Sequence, residues 1–316
     1  MRTVVWILVA AVVSVFSIGL ASQQPATPTG ADKPWAFPLK PDREQPETEE
    51  PRSVPGSTRK YSDVQIGDLF NPPDWFPDKH PTPPEIVVKG HDDVMACGAC
   101  HLMSGLGHPE SSDLTGLTAD YIVQQLMDFK SGARIDPTRM NGIAKGMTEE
   151  EMRASAEYFA ALPRQPFNKV IEQATVPETY LGNGRMRFVE PGGGTEPIGN
   201  RIITVPEDEA LARLRHPTSG FISYVPPGSL ARGKELVETG GGTTLACGIC
   251  HGTDMKGLGT IPRLAGMHPI YTVRQLYWFK DGTRNGAMAA QMTPVVAALT
   301  DEDILAMSAY LGSLTP

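Results

Sequence analysis

The sequence predicts an all-α protein made of two tandem copies of one helical domain, and three observations carry that prediction. Shifting the chain by 150 residues lays ACGACH (96–101) on ACGICH (246–251), with no gap as far as Tyr121 on Tyr271. A match of that length at one fixed offset is an internal duplication. Helical spacing recurs in both copies: Ile122, Leu126 and Phe129 in YIVQQLMDFKSGAR (121–134) correspond to Thr272, Leu276 and Phe279 in YTVRQLYWFKDGTR (271–284). Gly132 and Gly282 close these runs as helix C-caps. A second helix follows in each copy, in MTEEEMRASAEYFAAL (147–162) and LTDEDILAMSAYLGSL (299–314), after a two-residue length difference. Thr148 with Glu151, and Thr300 with Asp303, are capping boxes that open it. Its inward face carries Met152, Ala156 and Phe159, or Ile304, Ser308 and Leu311. No strand pattern recurs in either copy.

The rest of the chain follows from composition. The repeats define domains at 81–166 and 228–316 of the 316 residues, and 29 prolines with 32 glycines predict extended joins around them. Residues 22–80 read as a Pro-rich acidic tether, because DREQPETEEPR (42–52) buries too little apolar surface to repay its ordering entropy. Trp35, Phe37, Phe70, Trp75 and Phe76 are too many aromatics for a pure linker, and are expected to lie against a domain surface. Between the copies, 167–227 reads as an irregular insert wrapping one or both domains. A short hairpin is expected within GNGRMRFVEPGGGTEPIGNRIITVPED (182–208), where β-branched residues alternate with turn formers.

Residues 1–21 have the shape of a secretory signal: Met-Arg-Thr, an apolar run from Val4 to Leu20, and small residues before a cut after Ala21. An uncleaved membrane anchor is the alternative. Both place the globular part in the periplasm, in the second case anchored to the inner membrane. The net charge is −8 with no Lys/Arg-rich block, which excludes the counterion-release binding typical of nucleic-acid partners. An acidic surface instead predicts steering toward a basic protein patch, with strong salt dependence.

The four cysteines form two Cys-x-x-Cys-His motifs, Cys97/Cys100/His101 and Cys247/Cys250/His251. Exported cysteines suit two disulfides, and thiols at this spacing suit a thioredoxin-like pair or part of a zinc site. The redox pair would want a βαβ context, and zinc would want further ligands nearby or a union of the two pairs. Each pair instead sits in its own helical repeat with a histidine beside it. Two thiols one helical turn apart can form thioethers with the two vinyl groups of a haem while the histidine binds its iron, and this is the c-type attachment pattern. Two covalently bound haem c groups are therefore expected.

Haem iron takes a sixth ligand or keeps an open position, and that choice separates carriers from catalysts. Met140 lies eight residues before Thr148, and Met292 eight before Thr300, whereas Met103, Met147, Met255 and Met288 have no counterpart. Met140 and Met292 are therefore the candidate axial ligands, with His101 and His251 opposite them. Thioether favours ferrous iron and leaves both oxidation states six-coordinate, which is a carrier's arrangement. His80, His91, His108, His216 and His268 have no counterpart in the other copy and are expected at the surface or in loops.

These residues resemble class I cytochromes c, specifically the tandem dihaem cytochrome c₄ type. The resemblance covers 81–166 and 228–316 and implies two tandem class I cytochrome c domains. It implies that the Pro262 carbonyl, in IPRLAG (261–266), holds His251, and that SLARGKELV (229–237) is an N-terminal helix crossing the last helix at Gly233 near Tyr310. The first copy departs from the family. It has Ser112 in place of the proline and only PPEIVVKGHDDVMA (83–96) before its motif, so looser support of His101 and a more exposed first haem are expected.

The function implied is electron transfer between respiratory or dehydrogenase partners outside the cytoplasm: a membrane complex, a dehydrogenase, or a terminal oxidase or reductase. The alternatives are a cytochrome subunit of a dehydrogenase complex and a dihaem peroxidase-like enzyme. The near-symmetric methionines count against the enzyme, and attachment leaves no cysteine to serve as an axial ligand.

Overall fold

A computed structural model describes residues 33–38, 40–43 and 48–316. The expected signal or anchor lies outside the described residues, and no helix among them is long and apolar enough to cross a membrane. The N-terminal segment contributes α1 (Asp63–Gly67). The first repeat follows with α2 (Glu85–Val88), α3 (Gly98–His101), α4 (Ala119–Ser131), α5 (Met140–Gly146) and α6 (Glu149–Ala160). The insert holds β1 (Asn168–Glu172), β2 (Thr175–Pro177), β3 (Thr179–Leu181), β4 (Arg187–Val189), β5 (Thr195–Pro197), β6 (Ile203–Pro206), α7 (Glu209–Arg213) and β7 (Phe221–Val225). The second repeat is α8 (Ser229–Thr239), α9 (Gly248–His251), α10 (Pro269–Lys280), α11 (Thr293–Val296) and α12 (Asp301–Ser313).

Local chemistry accounts for the long helices. The Thr118 side chain accepts from the Tyr121 amide at the start of α4, and Gly132, at φ 81°, closes it in the left-handed conformation. Both capping boxes form, Thr148 with Glu151 and Thr300 with Asp303. Met152, Ala156 and Phe159 are buried on α6, as are Ile304, Ser308 and Leu311 on α12. Helix α8 crosses α12 at Gly233, where a Cβ would collide with the Ala306 carbonyl and with Tyr310. The first repeat keeps only α2 at this place, yet Val87 is as fully buried as Val237. The Cys97 amide donates to the Ile86 carbonyl much as that of Cys247 does to Val237.

The insert is more ordered than its local pattern suggested. Strand β7 pairs parallel with β1 and antiparallel with β6, and two further antiparallel pairs form, β2 with β5 and β3 with β4. The parallel partners are distant in sequence, so no short-range turn signal announces them. Val225 and Ile202 enter the second domain's core with Ala36 and Phe37, while Phe167 and Phe221 pack on Leu102 and Leu106 of the first. The insert therefore touches both domains.

The segment read as a tether is packed rather than free, and its aromatics lie against the rest of the protein as expected. Val54, Ile66 and Trp75 are buried together with Leu214, and the Trp75 indole donates to the Leu214 carbonyl at 2.7 Å. The carbonyls of Leu69 and Phe70 accept from the amides of Ala96 and Gly90, just before the first cysteine motif. Aromatic burial outweighs the segment's acidic composition here.

Candidate functional site

In both copies the first cysteine caps a four-residue helix, α3 or α9, that ends at the histidine. The chain then turns through positive φ, at Leu102 (60°) and Gly252 (79°). Leu102 holds this left-handed geometry while buried against Leu106, Phe167 and Phe221. The turn brings a loop carbonyl to each ring: His101 Nδ1 bonds to Ser112 O at 2.8 Å and His251 Nδ1 to Pro262 O at 2.7 Å. A ring that donates from Nδ1 keeps its Nε2 lone pair for a metal. The expected weakness at Ser112 is thus corrected, because the acceptor is main chain and does not depend on the proline ring.

Two pockets are lined by the predicted residues. Cys97, Cys100, His101 and Met140 border the first, together with Leu126 and Phe129. Cys247, Cys250, His251, Met292 and Pro262 border the second, with Leu276 and Phe279. Met103 and Met255 pack instead over Gly98 and Gly248, so they occupy equivalent places although they lie 152 residues apart and the offset of 150 does not match them. Burial pushes the Cys97 thiol up to about 12 and the Cys247 thiol to about 11, the opposite of an activated redox thiol. All four cysteines are free, and among the described residues no group of three or more His, Cys, Asp or Glu is gathered for a metal ion. Disulfide, thioredoxin-like and zinc readings therefore lack support in the geometry.

Sequence reasoning missed the residues between the pockets. The Arg134 guanidinium donates to Gln125 (2.9 Å), Gln275 (2.7 Å) and Tyr271 (3.3 Å), while Arg284 donates to Gln275 (3.0 Å), Gln125 (2.8 Å) and Tyr121 (2.8 Å). Each residue has its partner 150 positions away, so the network is nearly two-fold symmetric. The signal was present as polar identity at matched positions of the repeat. Two buried donors in it, Arg134 Nε and Gln275 Nε2, have no acceptor. Both residues line pockets, and the paired carboxylates of a haem are the acceptors that such cationic and amide donors lack. The residues present therefore fit haem in both the thiol and the carboxylate regions.

The two sites differ in cover, in the reverse of the expected sense. Cys250 is exposed and Cys100 is only partly so; Ile249 is 68% exposed, whereas Ala99 at the equivalent position is 3%. Two of the histidines expected at the surface or in loops lie in loops but are withdrawn from the surface. His268 is buried with Nδ1 bonded to Asn168, and burial lowers its pKa to about 3. His108 is partly covered, bonded to Ser111, and held well below the ordinary histidine range by burial.

A helical domain that sets two thiols and a histidine of one helical turn against an apolar pocket is a covalent haem module, and this chain has two. Its C-terminal copy, residues 230–315, matches the cytochrome c family model. Over 87 residues the chain is 39% identical to cytochrome c-554(548) of Halomonas halodenitrificans, covering 27% of this chain and 96% of that protein. It is 26% identical over 234 residues to cytochrome c4 of Stutzerimonas stutzeri (71% of this chain, 87% of the relative). It is also 26% identical over 224 residues to a thiosulfate dehydrogenase electron acceptor from the same species (70% and 80%). The crystal structure of reduced recombinant cytochrome c4 from Pseudomonas stutzeri is similar at a TM-score of 0.46 and 22% identity, covering 69% of this chain and 93% of that one. The chain belongs to the cytochrome c family. It is a dihaem c-type cytochrome that transfers electrons through two covalently attached haem c groups.

Proposed function

We propose that the protein is a periplasmic electron carrier whose irons are both held between histidine and methionine, His101 with Met140 and His251 with Met292. The supporting observation is that each histidine and its methionine border one pocket, with the histidine's Nδ1 committed to a backbone carbonyl. Bound haem supplies an iron that alternates between ferrous and ferric states. His101 with Met140, and His251 with Met292, would supply the iron's protein ligands in both states, so that little would reorganise on transfer and no position would open to a substrate. Asp136 helps to place Met140, accepting from the Arg139 and Met140 amides at 2.5 and 2.9 Å. The partners are a dehydrogenase or membrane complex as donor and a terminal oxidase or reductase as acceptor. The matched relative named as the electron acceptor of thiosulfate dehydrogenase supports the first of these.

A redox-titrated visible spectrum of the holoprotein, with and without carbon monoxide, tests the reading. Two low-spin haems that show the sulfur-to-iron band and ignore carbon monoxide are expected. A native haem that binds it overturns the closed-site assignment and returns the peroxidase-like enzyme to consideration.

A further inference from the structure

The two haem domains offer very different faces at the same place. In the second, Leu245 (60% exposed), Ile249 (68%) and Met288 (48%) border the pocket beside the exposed Cys250. The other exposed second-domain residues there, Thr260 and Gln291, are uncharged. Among the described residues Asp120 is the one exposed charged group at this border, and it is paired with Arg153 at 2.8 Å. In a chain of net charge −8 this is an uncharged apolar rim.

On the first domain the chain covers the corresponding face with itself. Arg215 of the insert donates to the Ala99 carbonyl at 2.7 Å, and Leu69 of the N-terminal segment accepts from the Ala96 amide at 3.0 Å. Insert and segment together wall the cavity that Ala99 borders. What remains exposed beside the first pocket includes Arg139, a charge with no equivalent on the second.

We propose that redox partners dock only on the second domain, over Leu245, Ile249 and Met288, and that the first haem exchanges electrons through the second. The occupant is a redox protein whose own cofactor lies beneath an uncharged apolar patch. Exposed apolar side chains around a cleft mark an interaction site, and the absence of unpaired charge selects a partner without charge of its own at the contact. This rests on the electron-carrier reading above, and it replaces the strong salt dependence expected from the acidic sequence.

The test uses the full-length dihaem protein and, as probe, a blue-copper protein whose copper lies under an uncharged apolar patch. Two quantities are read: the bimolecular electron-exchange rate as a function of salt, and the methyl resonances of Leu245 and Ile249 on adding cuprous probe. The expected result is a rate that changes less than about threefold over the salt range in which charge steering is screened out. The methyl signals should shift. Ile249→Lys should slow exchange about tenfold, the effect of disturbing a central interface residue, while Val189→Lys, at an exposed apolar residue of the insert, should not. A rate that falls steeply with salt, unshifted methyl signals, or an Ile249→Lys protein as fast as the parent overturns the docking site. Failure of the parent to exchange electrons with the probe, although dithionite reduces both its haems, counts instead against the carrier reading itself.

Discussion

Asp113 and Arg263 stand at the same position in the two copies of the repeat and meet as a buried ion pair, Oδ2 to Nη2 2.5 Å, with side chains 2% and 0% exposed. Each directly follows the residue whose carbonyl holds a motif histidine, Ser112 for His101 and Pro262 for His251. The remaining Arg263 donors go to the Thr115 and Ala265 carbonyls and the Thr115 hydroxyl. The Asp113 carboxylate also accepts from the Thr115 amide and hydroxyl. The pair thus joins, across the domain interface, the two loops whose carbonyls hold the motif histidines.

Removing one member leaves an uncompensated buried charge. Asp113→Ala or Arg263→Ala should cost about 3–5 kcal/mol, measured by denaturant unfolding of the holoprotein. The double substitution Asp113→Leu/Arg263→Met should recover most of that loss, since a matched apolar pair leaves no stranded charge. A double variant as unstable as the sum of the singles would show that the pair contributes more than charge compensation.

Met140→Ala and Met292→Ala should each open one iron. Each single variant should bind one carbon monoxide per protein and lose about half of the sulfur-to-iron absorption, and the double variant should bind two. Met288→Ala, at an exposed methionine of the second pocket with no partner in the repeat, should leave the band intact.

The crossing of α8 on α12 admits no side chain at Gly233. Gly233→Ala drives a methyl into the Ala306 carbonyl and Tyr310, both in a packed helix, and should destabilise the second domain by about 1–3 kcal/mol. Thermal unfolding of the holoprotein checks this. Gly242→Ala, where a Cβ would meet nothing within 4 Å although φ is 72°, separates backbone strain from the clash.

Asp303 ties the second domain's stability to acid. Burial raises its pKa, but hydrogen bonds from Arg232 and from the Thr300 amide outweigh burial and hold the carboxyl below its ordinary value. A folded pKa below the unfolded one means stability that is present above the unfolded value of about 4 and lost as pH falls through the folded value. Asp303→Asn should therefore lower stability at pH 7 and flatten its fall below pH 4. An unchanged slope between pH 4 and 2 would assign the acid dependence to other carboxylates.

Much of the site was legible because its chemistry is local. Cys97, Cys100 and His101 lie within one helical turn, so their joint geometry is a property of spacing. The capping boxes at Thr148 and Thr300 are equally short-range. Met140 and Met292 are distant from their motifs, and only the duplication made them stand out. Where the reading differed, the deciding contacts were long-range. Ser112 supports His101 through a carbonyl that every residue type carries. Trp75 is ordered by Leu214, which no composition rule connects to it. His268 is buried by the insert's Asn168 and Phe167 rather than by its own helix.

The sequence by itself determined the repeated helical modules and the candidate haem attachment points and axial ligands, because short-range spacing and the offset between copies encode them. Tertiary structure alone decided how the copies face one another and which cysteine motif is left exposed. Asp113 meets Arg263, Arg134 meets Arg284, and Arg215 covers Ala99 only when segments far apart in the chain are packed together. Those contacts depend on desolvation and shape at an interface, which no local pattern of residues records.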